Sequence, residues 1–363
     1  MTGSFDGVMW TLYLALLVNS LFFLTLLPAL KELIWPQDNL PLKVVREHDN
    51  NIAHFARGFG RFVETKLGAL LSETGETEVR RIPMDSGDPC ILLGRSAIFS
   101  LTTAEKFTLA VSHLVVGSGN LTLPDHILFE AEVFAKGNFT GGVLAAYRAV
   151  LVHGSAVLGK ESVILRWIHT HGCLSVGAGV QLFGRASSDE RIELMEDVVF
   201  ERLYAPEIIF GVISQFVAPY FVTPLFNWHP VTDFEEIGAQ WRVTSDVSIP
   251  PEHACKIPLV VTGNVHIGKG CLLHAAVKSN GEMVLGKNCR IDDAVVATGP
   301  LEIGSGCHIK GPIISEVEIR LRQGCVIGAA ATPTTISAPR ILIEPGVRVH
   351  GTVWARTLGK VQT

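Results

Sequence analysis

Between residues 267 and 350 one short pattern returns at a fixed interval, and it limits the fold more than any other feature of the chain. It reads Ile267-Gly-Lys-Gly-Cys271-Leu-Leu273, Leu285-Gly-Lys-Asn-Cys289-Arg-Ile291, Ile303-Gly-Ser-Gly-Cys307-His-Ile309, Leu321-Arg-Gln-Gly-Cys325-Val-Ile327 and Ile343-Glu-Pro-Gly-Val347-Arg-Val349. The first four copies are 18 residues apart and the last follows after 22. So short a period, rich in Val, Ile and Gly and without helical spacing, describes a solenoid in which each repeat is one coil of a single-stranded β-helix. The aliphatic residues at the first and seventh positions and the small residue at the fifth then point inward and stack on their equivalents. Glycines mark the corners.

Cys271, Cys289, Cys307 and Cys325 fall on the inward fifth position and form one ladder at strand spacing, about 4.8 Å. A single column of thiols on one wall cannot surround a tetrahedral ion, so these read as small core residues and not as metal ligands. With seven cysteines in total, an odd number, a disulfide framework is not expected and a reducing compartment is favoured. The formal charge of −5 gives no sign of a nucleic-acid partner.

Residues 7 to 30 carry no charged side chain. That run exceeds the roughly 20 residues needed to cross hydrocarbon, and Trp10 and Trp35 bracket it as interfacial anchors would. No basic segment precedes it and no small-x-small cleavage site follows, so an uncleaved anchor over 1–34 is expected, not a signal peptide. Only Asp6 stands before the span, whereas Lys31, Lys43, Arg46, Arg57, Arg61 and Lys66 follow it. The positive-inside rule then gives a single-pass inner-membrane protein with its bulk in the cytoplasm.

Residues 44 to 70, within a juxtamembrane segment 35–75, show Ile52, Phe55, Phe59, Phe62, Val63, Leu67 and Leu70 at helical spacing. Such a basic amphipathic helix could lie on an anionic leaflet or cover the open first coil of the solenoid. A small mixed segment is expected over 76–119. The repeat then reappears over 120–211, degenerate at first and regular at Leu158-Gly-Lys-Glu-Ser162-Val-Ile164, Val176-Gly-Ala-Gly-Val180-Gln-Leu182 and Leu194-Met-Glu-Asp-Val198-Val-Phe200.

Arg148, Arg166, Arg185 and Arg202 recur about once per coil of this first array. They could form an outward guanidinium column for a polyanion or partner, or pair with Glu130, Glu132, Asp189, Glu190 and Glu193. An aromatic-rich insertion over 212–256 separates the arrays; its 22 residues from Gly211 lack Lys, Arg, Asp and Glu but contain three prolines, against a second membrane helix. The second part of the solenoid spans 257–355, and 356–363 reads as a tail. His169-Thr-His171 places two imidazoles on one side of a strand, a metal-like pair with no third ligand close in sequence.

An N-terminal anchor followed by Gly-punctuated coils over about residues 120 to 355 resembles the bactofilins, the polymer-forming bacterial cytoskeletal family. That resemblance implies a β-helix that polymerises end to end without a nucleotide or other cofactor, held at the inner membrane beside proteins of envelope or polysaccharide synthesis. The chain differs from the simplest members in length, in its split repeats and in lacking a Pro-rich tail. The open end of a β-helix is a sheet edge able to add strands, which places the expected polymerisation end at Val349 and Val353.

The repeats also resemble the [LIV]-Gly-x-x-[small]-x hexapeptide of the hexapeptide-repeat acyltransferases, since 18 residues make three hexapeptides. That family implies a trimer acting on a sugar or related acceptor with a His as general base. The candidates are His274 and His308, with His266 and His350 behind them. The chain has no phosphate-binding loop, no dinucleotide fingerprint and no His-Glu-x-x-His motif.

Overall fold

The computed structural model describes residues 3–34, 52–84, 89–211, 224, 226–231 and 234–363. They fall in two units, Met1–His48 and Asp49–Thr363. In the first unit, helix α1 spans Gly3–Ile34. Most of its described side chains are apolar, and Leu12, Leu16, Phe22, Phe23 and Leu24 are all exposed. Among the described residues no helix is long and apolar enough to cross a membrane. The membrane span expected over residues 7 to 30 is therefore not met among them.

The second unit is a β-solenoid of about thirteen coils, each of about 18 residues. In its later part every coil contributes three short strands, each in parallel register with its neighbours. Val277 pairs Val295 and Val295 pairs Ile313 on one wall, Met283 pairs Leu301 and then Ile319 on the next, and Arg290 pairs His308 and then Val326 on the third. The first, fifth and seventh positions of each repeat do face inward: Ile267, Cys271, Leu273, Cys289, Cys307 and Cys325 are buried. Each ladder thiol donates to a carbonyl of the preceding coil, as Cys307 Sγ does to Gly286 O at 3.1 Å and Cys325 Sγ to Gly304 O at 3.2 Å. All seven cysteines are free thiols.

The corners have a common cause. At one recurring corner a residue adopts positive φ: His126, Leu144, Glu161, Gly179 and Asp197 in the first array, then Glu252, Gly270, Asn288, Gly306, Gly324 and Gly346 in the second. This is the position before the inward fifth residue, where the chain must turn through the left-handed region that Gly enters freely. At another corner, polar side chains accept backbone amides from the next coil. Asn120 Oδ1 takes the Asn138 amide, Asn138 Oδ1 that of Ser155, and Ser155 Oγ that of Cys173.

Helix α2, His54–Glu73, begins later than the expected 44, and 44–51 lie outside the described residues. It covers neither the open coil nor, with its buried face, a membrane. It lies along a side wall, where Ala56, Val63 and Leu67 pack on Leu92, Val116, Phe134 and Leu151. Close approach selects small residues: Gly60 sits so near the wall that an added Cβ would meet Leu151 Cδ2 at 3.2 Å. The larger Phe55 and Phe62, expected on the contact face, are exposed instead.

The small mixed segment expected over 76–119 pairs into the solenoid. Val79–Ile82 pairs antiparallel with Cys90–Leu93, which pairs parallel with Leu114–Gly117. Helix α3, Thr103–Thr108, begins on a capping box made by Thr102 and Glu105. Burial works to raise the Glu105 pKa, but hydrogen bonds from Arg81 and from the Thr102 amide and hydroxyl hold it down to about 2. Phe99 plugs this end of the core, 5.9 Å from the Phe129 ring.

The two arrays meet end on. Val199–Phe210, the last coil of the first array, pairs antiparallel with Val347–Val361, the last strand of the second. Phe200 faces Gly359, Leu203 faces Val353 and Ile208 faces Val349, one pair on each wall. One continuous core runs from Ile91 to Trp241. Residues 356–363 are thus no tail, because their strand seals the junction. The first coil of the second array is Gln240–Val243, Val247–Ile249 and His253–Cys255, inside the stretch expected to be insertion. Gly211 stands at the junction and Phe226 at the far end of the second array, points roughly 30 Å apart at strand spacing. The aromatic run over 212–223 lies outside the described residues.

Candidate functional sites on the ends and walls of the solenoid

Val349 and Val353 do not stand at a free end. Both are fully buried and held in the antiparallel junction, where Asp197 N to Val361 O and Val361 N to Val198 O continue the ladder. Side chains reinforce it: Lys360 pairs with Asp197 at 3.0 Å, Arg348 with Glu207 at 3.5 Å, and His350 Nδ1 contacts Pro206 O at 2.8 Å. The expectation failed because repeats reveal coils but not which coil of one array abuts which coil of another.

The outer ends are the N-terminal coils of the two arrays, each partly covered. At the far end of the second array, Phe234–Ile237 covers Gln240–Val243 and Phe226–Asn227 covers His253–Cys255. The third strand, Val247–Ile249, pairs only with Val265–Ile267 among the described residues. Val247 N donates inward to Asn264 O, so alternation along a parallel strand turns the N–H and C=O of Ser248 to the open side. Trp228 and Trp241, 6.2 Å apart, close the core beneath this edge. His266 lies exposed beside it, in a groove with Asp246, Asn264 and Glu282.

The four arginines do not form one column. Arg185 and Arg202 are register neighbours, but the strand position next to Arg185 is Trp167, not Arg166. The bulges that bend these strands through a corner shift the register and break the sequence spacing. Arg148 pairs with Glu132 at 3.5 Å and donates to Glu130 O, as the pairing alternative expected. Arg185 lies over Phe55 at 4.7 Å and Arg202 over Trp354 at 5.1 Å. Burial, with Arg185 beside it, lowers the Arg202 pKa. These guanidiniums are occupied in packing the helix and the junction.

His274 and His308 are likewise separate. His274 Nδ1 meets Asp292 Oδ2 at 3.0 Å, a partner 18 residues along that local sequence did not reveal. Asp292 is shared with Arg290 at 3.0 Å and Lys310 at 2.8 Å. Burial would raise the Asp292 pKa, yet Lys310, Arg290 and His274 hold it down to about 2. Burial also lowers the His308 pKa.

The structure supplies what the His169-Thr-His171 pair lacked. Asp189, one coil beyond His171, brings a carboxylate oxygen to the cluster, and the three ligand atoms lie within 4.8 Å of one another. His169 is buried, its Nδ1 is 2.9 Å from Ser187 Oγ, and its Nε2 is 3.8 Å from Asp189 Oδ2. The signal was available in sequence, since His153, His171 and Asp189 are each 18 apart. No protein-family description, no curated protein and no solved structure matches this chain.

Proposed function

We propose that this chain is a membrane-anchored scaffold that self-associates end to end through its β-solenoid, of the kind the bactofilin resemblance implies. The observation that carries the reading is the strand Val247–Ile249, which pairs on one side only among the described residues. Its outward N–H and C=O groups are a template for another strand, and sheet edges left open add strands. A second copy suits it, because this architecture already continues through an antiparallel end contact inside the chain, and two identical ends meet across a two-fold axis. Helix α1 would serve as the anchor: most of its described side chains are apolar, and Asn19, Ser20 and Thr25 bond back to Ala15, Leu17 and Phe22 carbonyls, as lipid requires. The basic residues that follow the helix in sequence support a solenoid on the cytoplasmic side of the inner membrane, where envelope or polysaccharide-synthesis proteins would be its partners.

Sedimentation velocity and negative-stain microscopy of the full chain in detergent test this. Rods of about twice the single length, roughly 60 Å for thirteen coils, or longer are expected. Ser248→Pro removes only an outward N–H and should return the sample to single rods with an unchanged melting curve. Single rods for the unaltered chain, or unchanged assembly of the variant, would overturn the reading.

A further inference from the structure

The wall beneath α2 is one outward column, Leu92, Val116, Phe134, Leu151, His169 and Ser187, in successive register. It is apolar for four coils and then changes character at a buried histidine. At the adjoining corner His171 follows His153 one coil on, their rings stacked at 4.7 Å, and Asp189 follows His171. A buried imidazole, a second imidazole and a carboxylate therefore converge where the helix-covered wall ends.

We propose that His169, His171 and Asp189 bind a divalent transition-metal ion of the zinc class, with water completing the coordination. Two imidazoles and one carboxylate suit zinc, whereas calcium and magnesium prefer oxygen alone. The Nε2 to Oδ2 separation of 3.8 Å is too long for a hydrogen bond. Two ligands of a tetrahedral zinc stand about 3.3 Å apart, so small side-chain rotations close the gap. Ser187 Oγ at Nδ1 fixes the ring and leaves Nε2 directed at the ion, the usual outer support of a ligating histidine.

Burial lowers the His169 pKa, against the pull of Asp189. Asp189, and Glu64 beside His153, favour a cation here; Arg57 on α2, and Lys136 beside His153, oppose it. The bound ion would tie two successive coils together at the edge of the helix-covered wall.

The test is zinc titration of the full, untagged chain in detergent after chelator treatment, with Co2+ as a spectroscopic substitute. One ion per chain, a visible d–d band of tetrahedral Co2+ and a melting temperature raised by Zn2+ are expected. His171→Ala and Asp189→Asn alter exposed side chains and should preserve the fold while each weakens binding at least about tenfold. Equal affinity in the His171→Ala/Asp189→Asn double variant, or absence of stoichiometric binding, would overturn the proposal. Because none of these readouts depends on assembly, the result stands apart from the fate of the scaffold reading.

Discussion

The two arrays solve the same problem with different materials. The second is nearly ideal: strands mostly of two or three residues, an aliphatic and thiol core, and Gly at most left-handed corners. The first fills its interior with Phe129, Phe139 and Tyr147, bends its strands through bulged corners, and uses Leu, His, Glu and Asp at most left-handed positions. It also carries α2 on a wall that is apolar on both faces of the sheet, with Ile91 and Leu93 turned inward and Leu92 outward. An array with a covered outer wall is free of the strict inward-outward alternation that makes repeats visible. Regularity here measures exposure to water on both flanks.

The junction is where this comparison breaks most sharply. An added Cβ at Gly359 would stand 2.2 Å from the Phe200 ring. Gly359→Val should therefore cost about 3 kcal/mol or more, because neither the strand nor the packed ring can retreat. The expected denaturation curve changes from one cooperative transition to two, the second array melting apart from the first. A single transition at the original midpoint would mean that the arrays are not coupled through this contact.

A pair of core truncations sharpens the contrast between a covered and a bare wall. Leu151→Ala opens a cavity between wall and helix and should cost about 2 to 5 kcal/mol, and hydrogen exchange should show α2 losing protection before any coil does. Cys307→Ala removes only a thiol from the ladder and its bond to Gly286 O, a loss of about 1 kcal/mol. Urea midpoints of the two variants measure the difference. Equal losses would show that α2 contributes nothing beyond the coil it touches.

Legibility in the sequence follows the same division. Ile267, Cys271 and Leu273 with their successors announce the second array and its inward faces, because each side chain meets its own copy one coil away. The first array shows only at Leu158 and after, where outward positions are again solvated. The antiparallel junction left no mark, since Leu203 and Val353 obey the same inward rule whether they face a partner or an open end. The arginine spacing misled because bulges shift register without changing residue count. Asp189 was legible at the coil period but not within the compact window in which metal motifs are usually sought.

The smallest effect separates corner chemistry from packing. Leu144 holds φ 54° with its side chain half exposed, so the left-handed backbone is strained there without compensating burial. Leu144→Gly removes a cost of about 1 to 2 kcal/mol and adds part of it back through the freer unfolded chain, for a net gain of about 0.5 to 1 kcal/mol. Gly324, at the equivalent corner of the second array with φ 72°, should lose about 1 kcal/mol on substitution by Ala, since its added Cβ would meet only Gly306 N, at an unstrained 3.9 Å, and only the backbone conformation objects. Opposite shifts in the urea midpoint, of similar size, would establish that the first array departs from the repeat at a conformational cost. A Leu144→Gly variant no more stable than the parent would instead assign that residue a packing role that its exposure does not suggest.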